Sequence, residues 1–400
     1  MRDLIIYASH IEDKAMQQID LLMSQPAFAD SKVRIMPDVH AGAGCVIGFT
    51  ADLGDKVIPN VVGVDIGCGM LTVQVKGDMD FEKLDIVIRE KIPSGKKVHD
   101  KVIWFFDDLD CMRCRNHLRG GDYFHRSLGT LGGGNHFIEV DVDDEGNHYL
   151  VIHSGSRNLG KQVAEYYQKM AIEHEYGSRD EFAKARDKLI EDLKKKGCEK
   201  KISDMLACLK REWNNSNDGR GHTPEQLCYL TGPDREDYLF DMAECQEYAH
   251  QNRLLMAVDI IKAMGWEVVD SFETIHNYID MESNIVRKGA VSAKAGERLI
   301  IPMNMRDGSL ICIGKGNDDW NQSAPHGAGR LLSRMEAKKK LHLDSFRRTM
   351  QGVYTTSVSA DTLDEAPEAY KPMDAIVPLI GDTVEVQKVI RPVYNFKASE

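Results

Sequence analysis

Apolar and polar positions change rhythm several times along the chain. Near the N terminus, VRIMPDVHAGAGCVIG and KVIPNVVGVDIGCGM are almost continuously apolar between glycines, the pattern of buried strands joined by tight turns. Glycines at 42, 44, 48, 63, 67 and 69 imply backbone packed close to a ligand or another strand. DFEKLDIVIREKIP then has the spacing of a short helix, and FFDDLDCMRCRNHLRGGDYF reads as an irregular or helical connector. The alternation in HFIEVDV and NHYLVIHS, with DDEG between them, predicts a hairpin.

From 158 to 265 the period lengthens to that of helices, in KQVAEYYQKMAIEHEY and REDYLFDMAECQEYAHQNRLLMAVDIIKAMG. The lysine-rich FAKARDKLIEDLKKKGCEKKISDMLACLKREW between them reads as a surface helical insertion. RLIIPM and SLICIG return to strand character, GAGRLLSRMEAKKKLHLDSFRRTM predicts a helix after a glycine turn, and VEVQKVIRPVYNF is again a strand. Strands and helices interleave without a regular βαβ period. The expectation is one α+β domain over residues 1–400, with a helical insertion at about 160–255.

Composition changes this picture little. Hydrophobic residues are 42% and charged residues 28%, as in ordinary globular proteins. No apolar run approaches the roughly 20 residues of a membrane helix, and MRDLIIYASH lacks the layout of a signal peptide. A cytoplasmic protein with mostly reduced cysteines is expected. Charge adds more: 51 basic against 63 acidic residues give a net −12. That excludes a histone-like binder but leaves room for a small basic site. Basic residues gather in KLIEDLKKKGCEKK and at Lys338, Lys339, Lys340, Arg347 and Arg348, whereas acid gathers in FFDDLD, DVDDEG and GNDD.

Five glycine-flanked or strand-borne segments carry residues suited to chemistry. They are VGVDIGCGM with Asp65 and Cys68, LGGGNHFIEV with Asn135, His136 and Glu139, IHSGSR with His153 and Arg157, TIHNYID with His276 and Asn277, and SAPHGAGR with His326 and Arg330. If DDEG is a four-residue turn, opposed hairpin residues sum to 289 and His136 lies across from His153 on one face, with Asn135 and Glu139 on the other. Two imidazoles so placed could share one metal or hold neighbouring metals. A thiolate at Cys68 can bridge two cations, and mixed Asp, Cys and His ligands suit Mn, Fe or Zn better than Mg; the alternative is a small buried residue in a turn. His326 opens an apparent helix whose first N–H groups, at Gly327, Ala328 and Gly329, would face a phosphate, with Arg330 as a further donor. A histidine there could attack phosphorus; the alternative is an incidental capping loop. Cys111 and Cys114 form a lone CxxC and read as ordinary thiols.

Together these motifs resemble the RtcB family of RNA ligases, from PDVHAGAG at 37–44 to Lys397, with a looser match through the helical insertion. The resemblance implies an enzyme that joins RNA 3′-phosphate or 2′,3′-cyclic phosphate ends to 5′-hydroxyl ends with GTP and two manganese ions. It implies metal ligation by Asp65, Cys68, His136, His153 and His276, with Cys68 bridging, and guanylylation of His326. Asn135, Glu139, Ser309, Tyr370 in APEAYK and Lys397 match nucleotide-contacting positions, and Arg157 and Arg330 match phosphate-binding arginines. Gly327, Ala328 and Gly329 belong to the same nucleotide loop. An accessory activating protein would fit the family, and the RNA itself is not named by the motifs. PMNMRDGSLICIGKGNDDWNQ departs from the family pattern, with Arg306 and Asp307 where small residues are usual. The competing readings are a metal-dependent phosphohydrolase that does not use His326, and a non-catalytic RNA-binding subunit.

Overall fold

The structure, a computed structural model, describes residues 3–177, 179–216 and 223–398. Before the hairpin come β1 (Asp3–Ile6), β2 (Lys32–His40), β3 (Ile47–Asp52) and β4 (Gly69–Lys76). The hairpin is β5 (Phe137–Val142) and β6 (His148–Ser154). After the helical stretch come β7 (Glu267–Ile275), β8 (Asn277–Asp280), β9 (Ile285–Lys288) and β10 (Ala290–Ser292). The chain ends with β11 (Arg298–Asn304), β12 (Gly308–Gly314), β13 (Ser323–Pro325) and β14 (Val384–Lys397).

The strands form a five-stranded sheet ordered β1-β2-β3-β9-β8, a seven-stranded sheet ordered β11-β12-β14-β5-β6-β4-β7, and a β10-β13 pair. Only β1 and β2 run parallel; the other pairings are antiparallel, as expected for α+β rather than doubly wound α/β. The larger sheet curls until its ends meet. Ile300 N–H donates to Thr274 Oγ1 at 3.1 Å, and Arg298 Nη2 to the Ser271 carbonyl at 3.0 Å, so β11 closes toward β7. Inside the curl, Met70, Phe137, Val151, Ile300, Ile311 and Ile390 form one apolar cluster.

The long helix Gly232–Met264 ties the layers together. At 1.5 Å per residue its 33 residues span about 50 Å. It begins behind Thr231 with proline in its first turn and ends on Gly265, whose φ of 73° is the left-handed cap that glycine adopts without strain. Its first half packs Tyr238, Met242 and Cys245 against the smaller sheet's core, and its second half packs Met256 and Ile260 against the outer face of the curled sheet. Arg157–Tyr176 joins the first core, whereas Arg179–Lys195 and Ile202–Ser216 pack mainly on each other. Among the described residues no helix is long and apolar enough to cross a membrane.

Three local expectations are corrected. PNVV at Pro59–Val62 is one helical turn rather than strand. The helix after HGAGR starts at Arg334, not beside His326, because Ser333 and Glu336 form a reciprocal capping box there. The hairpin sums to 290: Phe137, not His136, faces His153. Asp143 accepts from the N–H groups of Glu145 and Asn147, and Gly146 is left-handed at φ 82°, which makes a three-residue loop and slips the register by one.

Candidate active site

The VGVDIGCGM segment makes a tight turn in which Cys68 N–H bonds to the Asp65 carbonyl at 3.2 Å. Gly67 has φ 71°, and a side chain on it would run into the long helix at Gln246 and Ala249. That helix secures the turn with the wholly buried Arg253. Its Nη1 donates to the carbonyls of Gly67 at 2.8 Å and Ser154 at 2.6 Å, and its Nε to Glu273 at 2.7 Å. The neighbouring Asn252 bonds Thr130 at both N–H and carbonyl and also Gly155, which sets the GGGN and HSGSR loops.

These supports bring all five expected ligands together. Cys68 Sγ lies 3.4 Å from His136 Nε2 and 3.3 Å from His153 Nε2. His136 Nε2 is 3.0 Å from Asp65 Oδ2, and His153 Nε2 is 3.5 Å from His276 Nε2. Cys68, His136 and His153 form a group whose ligand atoms lie within 4.8 Å of one another. The Nδ1 atoms of His136 and His153 are held by the carbonyls of Leu131 and Asn135, at 2.8 and 3.2 Å, which aims both Nε2 atoms inward. His136 reaches the cluster from the loop before β5, not from the strand face.

The electrostatics favour a cation here. Burial, then neighbouring His136, lowers the His153 pKa well below the usual range, and burial and His326 do the same for His276. Neutral imidazole is the ligand form. Burial and the adjacent Asp65 push the Cys68 thiol up, so protein alone does not stabilise a thiolate among these groups. A metal ion would supply the missing positive charge, and a sulfur–imidazole set suits a transition metal.

His326 sits beside this cluster, with its ring centroid 5.0 Å from that of His276. Its Nδ1 bonds the fully buried Asp38 at 2.7 Å, leaving Nε2 as the nitrogen available for reaction. His326 borders a cavity of about 780 Å³ that also meets Asn135, Glu139, Arg330, Tyr370 and Lys397. Gly327, Ala328 and Gly329 line it too, and their N–H groups have no protein acceptor among the described residues. The segment expected to cradle phosphate is therefore a loop, without the helix dipole.

At the far wall Glu365 accepts from Lys397 Nζ at 2.7 Å, Tyr370 OH at 2.7 Å, Arg334 at 3.0 Å and Arg330 at 3.3 Å. Burial opposes its ionisation, but these cations win and hold its pKa at about 2. Glu139 lies on the His153 face of the hairpin, the reverse of the expected arrangement, and accepts from Asn395 Nδ2 at 3.1 Å. Burial raises it to about 7, partly offset by Asn395 and Lys397.

Two of the residues expected to contact nucleotide or phosphate lie outside the cavity lining. Ser309 is buried on β12 opposite Pro302, with its hydroxyl unpartnered. Arg157, at φ 58°, bonds the Gly95 carbonyl at 2.8 Å and Thr130 at 3.2 Å, and packs where any Cβ on Gly132 would collide with it. Arg306 and Asp307 pair with each other at the tip of the β11–β12 hairpin, while Asn304 lines the cavity. Sequence reasoning missed Asp38, Glu365, Asn252 and Arg253 as site residues; Asp38 did stand inside the quoted PDVHAGAG.

Comparison with known proteins agrees with this geometry. The family described as tRNA-splicing ligase RtcB matches residues 18–118 and 115–398. The RNA-splicing ligase RtcB of Escherichia coli K12 is 29% identical over 97% of this chain and 95% of its own length. The tRNA-splicing ligase RtcB of Archaeoglobus fulgidus is 27% identical over 92% of this chain and 88% of its own. The match takes in every segment that builds the cluster and all of the cavity lining except Glu12 and Lys14, and the chain belongs to the RtcB family of tRNA-splicing ligases.

Proposed function

We propose that this protein is an RNA ligase that joins 3′-phosphate or 2′,3′-cyclic phosphate ends to 5′-hydroxyl ends, with GTP and manganese. The observation that carries the reading is the Asp38–His326 pair, set between the metal-ligand cluster and the cavity. With Nδ1 engaged by Asp38, His326 Nε2 attacks the α-phosphorus of GTP, and the bond to pyrophosphate breaks. Asp38 stabilises the positive charge that develops on the ring. The N–H groups of Gly327, Ala328 and Gly329, with Arg330, bind phosphate oxygens. Asn135, Glu139, Tyr370 and Lys397 hold the rest of the nucleotide.

Two manganese ions held by Asp65, Cys68, His136, His153 and His276 would polarise the phosphates and offset their charge. The guanylyl group then passes from His326 to the RNA 3′-phosphate, and the imidazole leaves neutral. The 5′-hydroxyl attacks the activated end and GMP departs. A cyclic phosphate is opened by water before the transfer. Positioning and charge supply most of the acceleration in chemistry of this kind.

The test is adduct formation. Incubation with labelled GTP and manganese should give a stable protein–GMP species, absent in His326→Ala. A wild-type protein that forms no adduct, yet still opens cyclic phosphates, would replace this reading with hydrolysis.

A further inference from the structure

The metal cluster is open on two sides. His153 and His276 border the nucleotide cavity, whereas Asp65 and His136 do not, and the Asp65 side chain is 31% exposed. An RNA end must reach the metals from a side that the nucleotide does not fill. Beside that second opening runs a loop, residues 95–105, with the sequence GKKVHDKVIWF. One of its ends sits next to Arg157, and the other packs on the segment that leads to Thr130. The Gly95 carbonyl accepts from Arg157 Nη2, and Ile103 rests against Gly129, the neighbour of Thr130, which accepts from Arg157 Nε.

Between these anchors the backbone is pinned at His99, whose N–H donates to the Arg126 carbonyl at 3.0 Å and whose Nε2 bonds the Gly129 carbonyl at 3.2 Å, while the lysines before and after it and the two rings that follow Ile103 are exposed. Trp104 is 51% and Phe105 63% exposed, the latter with the His125 ring beside it, ring centroids 5.1 Å apart. Lys96, Lys97 and Lys101 are exposed, and none makes an ion pair or side-chain hydrogen bond among the described residues. One exposed acid, Asp100, lies within the loop, leaving the three lysines an excess of two positive charges; the acidic residues that follow lie beyond Phe106, which turns into the core, and Asp110 is paired with Arg115.

We propose that loop 96–105 is a docking strip for the single-stranded RNA leading to the broken end, with Trp104 and Phe105 stacking on bases and Lys96, Lys97 and Lys101 meeting phosphates. Uncommitted ammonium groups followed by exposed rings on one strip are a combination that binds single strands without reading their sequence. The position supplies the direction, since the strip ends at the open side of the cluster. The inference rests on the ligase reading.

The probe is a fluorescently labelled single-stranded RNA of roughly twelve nucleotides ending in a 3′-phosphate, a length in the range that single-strand sites cover. Trp104→Ala/Phe105→Ala should weaken its binding about tenfold to a hundredfold, from the loss of two stacking faces. Lys96→Glu/Lys97→Glu/Lys101→Glu should weaken it and flatten its salt dependence by about two to three phosphate contacts. GMP uptake should be unchanged in both variants, which also reports an intact fold. Wild-type affinity in either variant would overturn the strip. Because binding is read separately from GMP uptake, a wild-type protein without GMP uptake would overturn the ligase reading and leave the binding comparison to decide the strip.

Discussion

Asp38 and His326 are 288 residues apart in sequence, and the carboxylate of one holds the imidazole of the other at 2.7 Å. The contact selects which ring nitrogen faces the cavity. Asp38→Asn should keep the shape and lose the charge, and can present its N–H₂ to the ring and impose the wrong tautomer. The rate of GMP adduct formation should fall about a thousandfold, as for the orienting carboxylate of other acyl- and phosphoryl-transfer histidines. Metal binding, followed by calorimetry, should be unaffected. An adduct rate within a fewfold of wild type would show that the contact has no catalytic role.

Cys68 is the sulfur at the centre of the cluster. Cobalt(II) added to the wild-type protein should produce the absorption of a thiolate bound to metal, and Cys68→Ala should abolish it and weaken metal binding by about a hundredfold or more. Because burial and Asp65 raise the free thiol, binding must displace its proton, and metal affinity should rise with pH. An unchanged cobalt spectrum in the variant would place the metal elsewhere.

Glu139 responds to pH in the opposite sense from an ordinary paired carboxylate. Its folded value of about 7 lies above the unfolded value near 4.5, so the folded state binds the extra proton. Stability is therefore lost as pH rises from about 4.5 through 7, a loss that Glu139 shares with the neighbouring buried Asp141, which burial and Glu139 also push up. Glu139→Gln removes its own share of that loss. Urea unfolding of the two proteins should diverge between pH 5 and pH 8, which are rough bounds of the linkage window, with the variant the more stable at the upper end. Parallel curves would contradict the assignment.

Glu365 works the other way. Its folded value of about 2 lies below the unfolded 4.5, so its contribution is complete above about 4.5 and disappears as pH falls toward 2. Glu365→Gln should cost about 3 kcal/mol at neutral pH, because it leaves Lys397, Arg330 and Arg334 without their shared carboxylate. The variant should also lose part of the acid sensitivity of the parent. A destabilisation below about 1 kcal/mol would mean that water compensates these cations.

The sequence spelled out the ligand-bearing segments because chemistry was concentrated in short, glycine-flanked motifs. Cys68, His136, His153 and His276 do meet. It was silent on what holds them. Asn252 and Arg253 look like ordinary helix residues in EYAHQNRLLM, and only the packed helix shows them reaching three loops. The register error came from one turn: Asp143 folds its side chain over the loop, and no alternation of apolar residues reports that. The late start of the helix after His326 was legible, since Ser333 and Glu336 have the spacing of a capping box.

β14 comes last in the chain yet lies in the middle of the large sheet, between β12 and β5, and carries Asn395 and Lys397 to the cavity. During synthesis β12 and β5 keep unpaired facing edges until this segment emerges, so the cavity wall that Asn395 and Lys397 supply is completed only then. A product cut short before Val384 would be no weakened enzyme. It would carry two raw strand edges, open to aggregation and to proteases. The topology thus makes catalytic competence a proof that translation ran at least as far as Lys397.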